Sequence, residues 1–164
     1  MATREKYSEE PPKPKPIHKP ERQADEDHPL WLKDKGNTFF QAEDYESAIN
    51  AYTQGIKADN KNIACLLNRS AAYLKQYELD NALADIETVE ALPDLGDRAV
   101  AVCKVRRAAI AAWKGHYDEA IALYKEASYK LDSDEGIPDD IRRLEVRKQS
   151  QIVKEAGDKY FRGQ

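Results

Sequence analysis

YESAINAY, running from Tyr45 to Tyr52, decides the fold because it returns twice, as LDNALADI from Leu79 to Ile86 and as YDEAIALY from Tyr117 to Tyr124. The central alanines, Ala48, Ala82 and Ala120, lie 34 and then 38 residues apart. Twelve positions before each alanine stand Gly36, Ser70 and Ala108, all small. Nine before stand Phe39, Tyr73 and Ala111, and seven after stand Gly55, Val89 and Ala127. A fixed period with small residues at matched places marks stacked repeats. Each unit reads as two amphipathic helices around a short polar turn, QAED, KQYE or KGHY. A single helix pair cannot bury its own apolar face, so the units must stack and the open end must be closed.

Gly36 sits within a helical pattern, where glycine costs about 1 kcal/mol against alanine. Its small counterparts in the other units predict a packing role: a side chain here would push the first helix off the second. Asp44 and Asp80 stand near the starts of second helices, where an aspartate caps free amides and favours the helix dipole. The tail IPDDIRRLEVRKQSQIVKEAGDKYFRGQ opens with Pro138 and two aspartates, which suit a helix start. It carries Ile141, Leu144, Ile152, Val153, Ala156 and Tyr160 among many charges, as a seventh, closing helix would. The four extra residues of the second spacing fall near ALPDLGDRAVAV, as a longer turn or a lengthened helix.

The expected fold is therefore all-α. Three helix-turn-helix repeats cover about 29–62, 63–96 and 101–134, and a capping helix covers about 138–162. Residues 1–28 differ: the first 29 positions hold six of the eight prolines and almost no large apolar residues. Such a stretch cannot bury enough surface to offset chain entropy, and reads as a disordered or polyproline-like linker that folding does not need.

A net charge of −4 among 164 residues argues against general nucleic-acid binding, and no apolar run approaches the ~20 residues that span a bilayer. No signal peptide opens the sequence, so Cys65 and Cys103, both in apolar helical stretches, read as buried reduced thiols in a cytoplasmic protein. Phosphate-binding, nucleophile-elbow, zinc-protease and CxxC motifs are all missing, and of the histidines only His116 lies outside the linker region. We expect no enzyme, cofactor or metal site, but a binding protein. Trp31, Phe39, Phe40, Tyr73 and Trp113 are expected in the core. Lys35, Arg69 and Arg107 recur at the seventh place of the three units and are expected as inter-helix or solvated charges.

The period, with a small residue, an aromatic three later, then alanine and another aromatic, resembles the tetratricopeptide repeat (TPR). Leu32, Gly36, Phe39, Ala48 and Tyr52 match its pattern in the first unit. Within this family LKDKGN, LLNRSAAY and VRRAA resemble the carboxylate clamp of co-chaperone TPR domains, which grip the C-terminal Glu-Glu-Val-Asp tail of cytosolic heat-shock chaperones. Carried over residue by residue, the clamp would comprise Lys33, Asn37, Asn68 and Arg106. Lysine and arginine suit the terminal carboxylate and aspartate, while asparagine amides donate without adding charge. The family has a further lysine where this sequence has Val102. Lys104, two positions on and about 200° round the helix, is a poor geometric substitute for it and only an auxiliary candidate. The sequence is also similar to dynein-assembly co-chaperones. That likeness implies cytoplasmic pre-assembly of axonemal dynein arms for motile cilia, with nuclear or cilium-associated pools allowed. The implied partners are heat-shock protein 90 or 70 tails, dynein assembly factors and dynein chains. The same fold also serves as a generic scaffold, or as another co-chaperone adaptor, whose groove takes a different peptide or helix. Val102 favours that second reading.

Overall fold

A computed structural model describes residues 28–131 and 136–162; the linker expected over 1–28 lies outside these, save His28. Among the described residues there are seven helices and no strand. They are α1 (Pro29–Gln41), α2 (Tyr45–Ala58), α3 (Ile63–Lys75), α4 (Leu79–Glu90), α5 (Asp97–Trp113), α6 (Tyr117–Ser128) and α7 (Ile137–Arg162). Consecutive helices pack on one another throughout, and α3 also meets α1 and α5. Ala48, Ala82 and Ala120 are fully buried on α2, α4 and α6, the equivalent second helices.

The turns within the pairs share one chemistry. Glu43, Tyr77 and Gly115 each adopt positive φ, at 60°, 62° and 79°. The residue after each donates its N–H back to a carbonyl in the last helical turn: Asp44 to Phe39 at 3.0 Å, Glu78 to Tyr73 at 2.9 Å and His116 to Ala111 at 2.9 Å. The left-handed residue itself bonds Phe40, Leu74 or Ala112 at 3.1, 3.2 and 3.1 Å. These two bonds form the Schellman motif, which satisfies end carbonyls and reverses the chain. Only the third turn uses glycine, so the other two bear the steric cost of a side chain.

Three clusters make up the core, and each is closed by a residue from the next unit. Cys65 of α3 completes the cluster of Ala48 and Tyr52. Cys103 and Ile110 of α5 complete that of Leu66, Ala82, Ile86 and Val89. Ile137 and Leu144 of α7 close the third around Ala108, Ala120 and Tyr124. Both cysteines are free and buried, as expected, and burial pushes the Cys103 thiol up to about 11.

Close approach of α1 and α2 explains Gly36. A Cβ there would stand 2.4 Å from Cε1 of Tyr52, inside any allowed contact. Gly55 does the same between units, where a Cβ would lie 2.8 Å from Cys65 Sγ. The four extra residues of the second spacing lengthen a helix: α5 has 17 residues where α1 and α3 have 13.

Three expectations need correction. Asp44 caps α2 by accepting from Ser47 N–H at 3.1 Å, but Asp80 is not a cap: it lies inside the first turn of α4, where its charge still favours the dipole, and the N-cap is Glu78, whose side chain bonds no helix-end amide. Trp31 and Trp113 are not core residues, being 38% and 58% exposed. Trp31 lies under the Lys35 ammonium, and Trp113 meets Tyr77 edge-on. Of the apolar residues singled out on α7, Leu144 is buried and Ile141 half-buried, whereas Ile152, Val153, Ala156 and Tyr160 are exposed.

Candidate functional site

The first helices of the three pairs bring Asn37, Asn68 and Arg106 to one cleft. It has a volume of about 130 Å³ and is also lined by Phe40, Tyr52 and Ala71. Asn37 on α1 and Asn68 on α3 are fixed by a shared acceptor. Oδ1 of Asn37 accepts from Nδ2 of Asn68 at 2.9 Å and from the Tyr52 hydroxyl at 2.8 Å. With that oxygen doubly engaged, the hydrogen-bonding capacity left on Asn37 is its amide N–H pair, a donor. Burial pushes the Tyr52 phenol up to about 12, so the hydroxyl stays a neutral donor.

Lys33 stands one turn before Asn37 on the same face of α1. Its ammonium lies 3.3 Å from the exposed Asp34 carboxylate, and the side chain is itself partly exposed. Burial raises the pKa of the neighbouring Cys65 thiol, and the Lys33 charge opposes that rise. The lysine is not among the residues that line the cleft.

The remaining candidates go elsewhere. Val102 is half-buried and packs against both the second and third core clusters. Lys104 turns to α6 and pairs with Glu126 at 2.6 Å. The seventh-place cations bridge helices or stack. Arg69 donates to Asp85 at 2.6 and 2.9 Å and to Thr53 at 2.9 Å, linking α2, α3 and α4. Arg107 donates to Glu90 at 2.6 and 3.0 Å. Sequence patterns did not single out Tyr52 as a site residue; it fills the aromatic place of the repeat, and no pattern records where its hydroxyl goes.

A larger groove, about 700 Å³, lies where α2 meets the α3–α4 turn, lined by Glu46, Asn50, Tyr73, Glu78 and Asn81 among others. It holds no residue of the clamp set and only one cation, Lys75, so the smaller cleft is the better candidate for an acidic ligand. Among the described residues no cluster of His, Cys, Asp and Glu could hold a metal ion, and no helix is long and apolar enough to cross a membrane.

No family model matches the sequence. Over 112 residues it is 41% identical to dynein axonemal assembly factor 4 of Pongo pygmaeus, a match covering 66% of this chain and 26% of that protein. The chain thus spans about a quarter of the length of the curated relatives it matches. Among solved structures, the first TPR domain of the human RPAP3 protein superposes with a TM-score of 0.64 at 27% identity, covering 80% of this chain and 98% of that one. The first TPR of Spaghetti (RPAP3), bound to the HSP90 peptide SRMEEVD, gives 0.61 at 26% identity, covering 74% and 93%. Repeat spacing, helix order and these likenesses together identify the fold of the chain as that of a tetratricopeptide-repeat domain.

Proposed function

We propose that this domain is a co-chaperone adaptor that grips the acidic C-terminal tail of heat-shock protein 90 or 70 through Lys33, Asn37, Asn68 and Arg106. The convergence of Asn37, Asn68 and Arg106 from three separate helices on one cleft carries this reading. A tail ending in aspartate offers two carboxylates within one residue. Cations at Lys33 and Arg106, with asparagine N–H donors between them, complement that pair, and each charge-assisted bond contributes about 1.5–3 kcal/mol. The SRMEEVD peptide of the Spaghetti complex is a ligand of this chemistry. Similarity to dynein axonemal assembly factor 4 supports a role in cytoplasmic pre-assembly of axonemal dynein arms, with assembly factors and dynein chains as clients.

Val102 favours a second reading. Where a full clamp has another lysine, this domain spends the position on core packing. A scaffold whose groove takes a different peptide or helix would tolerate that loss. Calorimetric titration with an SRMEEVD-type peptide separates the two. Lys33→Ala and Arg106→Ala should each weaken binding roughly tenfold to 150-fold. Wild-type affinity in both variants would leave only the scaffold.

A further inference from the structure

The distal half of α7 has two features that the closing of the repeat stack does not use. At 26 residues the helix is about 39 Å long, while α6, on which it packs, has 12 residues and is about 18 Å long. Ile137 and Leu144 are buried against the third cluster, and Lys148 pairs with Asp118 of α6. Among the described residues, none of α7 beyond Lys148 belongs to a core cluster. An isolated helical stretch of this length is marginal in water, because about 12–15 residues are needed for even favourable sequences.

The solvent-facing side of α7, from Val146 on, instead carries a narrow apolar seam. Val146, Val153 and Tyr160 recur every seven residues, and Ala156 stands three after Val153, the a and d places of a heptad. Val146 is 63% exposed, Val153 62% and Tyr160 68%. Val153 is nine residues from Leu144, about 180° round the helix, so the seam faces away from the domain. A partner helix could lie along it without displacing any core contact.

We propose that the seam pairs with the same seam of a second copy of this chain, antiparallel, about a two-fold axis near Gln151. Charge pattern and symmetry select this occupant. In that register Val153 packs against Gln149 of the second copy, and Val146 against its Ala156. Ile152, itself 48% exposed, meets its own counterpart beside the axis. Glu145 lies opposite Lys159 of the second copy, and the symmetry makes this pair twice. A parallel pairing would place Glu145 beside Ser150 and Ile152 beside Gly157, with no charge pair gained. The self-complementary arrangement is what an isologous dimer requires. It leaves the cleft at Asn37 and Arg106 on each copy untouched and does not depend on what that cleft binds.

Sedimentation equilibrium of the full chain tests the proposal. Wild type should show a concentration-dependent monomer–dimer equilibrium. Val153→Glu should weaken it at least about tenfold while the helical circular dichroism is kept, since the position is exposed. Glu145→Lys and Lys159→Glu should each weaken it about threefold to tenfold, and the double reversal should restore it. A wild type that stays monomeric at its highest soluble concentration overturns the proposal. So does a dimer that Val153→Glu leaves intact, or a double reversal that remains weak.

Discussion

Asn68 Nδ2 donates to Asn37 Oδ1 at 2.9 Å, tying α3 to α1 across 31 residues of sequence and orienting both amides before any ligand arrives. The Tyr52 hydroxyl takes the second lone pair of the same oxygen. Because both bonds come from the repeat framework, the geometry of the cleft is coupled to the packing of the first helix pair. Prearranged donors lose less freedom on binding than mobile ones.

Gly36→Ala tests that coupling. The added Cβ would collide with the ring of Tyr52, which is only 1% exposed and cannot swing away. Overpacking costs about 1–3 kcal/mol, and alanine recovers at most about 1 kcal/mol through helix propensity. Chemical denaturation should show a net loss of about 1–2 kcal/mol. Stability equal to or above wild type would mean that α1 and α2 are not held at this separation.

Arg69 and Arg107 occupy the same place in consecutive units, yet their partners should differ in weight. The side chains of Arg69 and Asp85 are 17% and 6% exposed, those of Arg107 and Glu90 34% and 36%. Removing one partner of a buried pair strands the other charge, which costs about 3–5 kcal/mol when burial is complete, whereas exposed pairs contribute under about 1 kcal/mol. Asp85→Ala should therefore destabilise by about 2–4 kcal/mol and Glu90→Ala by less than about 1 kcal/mol in urea melts. Equal effects would contradict the burial difference.

Glu43→Gly should stabilise the domain. Glu43 closes the first turn at φ 60°, a conformation that costs a non-glycine residue about 1–2 kcal/mol, while glycine loses part of that gain to its freer unfolded chain. The expected net gain is about 0.5–1 kcal/mol, read as a raised denaturation midpoint. No gain, or a loss, would show that the Glu43 side chain makes a compensating contact.

The repeat class, the helix order and the role of Gly36 were legible in the sequence because spacing and residue size alone determine them. The two bare Schellman turns were not, since Glu43 and Tyr77 are unusual residues at positive φ and only the third turn spells out glycine. Asp80 looked like a cap because it precedes an apolar run, but the turn ends two residues earlier and places it inside α4. Trp31 and Trp113 looked like core residues by size; they lie at exposed ends of helices, where a cation or another ring covers one face. In the site, the positions of Asn37, Asn68 and Arg106 followed from repeat places, whereas the Tyr52 hydroxyl contact and the diversion of Lys104 to Glu126 depend on neighbours that no linear pattern encodes.

Val102→Lys supplies the cation of the clamp pattern that this sequence lacks. Packing against two clusters makes the valine worth about 1 kcal/mol of stability, a loss that lysine offsets in part through helix propensity and its apolar stem. The half-exposed position lets the ammonium reach water or ligand, so binding of an acidic tail should tighten about threefold to thirtyfold. A folded variant with unchanged affinity would show that the groove is shaped for another ligand.

Recognition of a free C-terminal carboxylate by the proposed set Lys33, Asn37, Asn68 and Arg106 is tested most directly by titrating the domain with a peptide ending in Glu-Glu-Val-Asp, once as the free acid and once C-terminally amidated. Amidation removes one of the two terminal charges, so affinity should drop roughly tenfold to 150-fold, and binding of the free acid should weaken with added salt. Equal affinity for acid and amide, or no binding of either, would contradict the clamp.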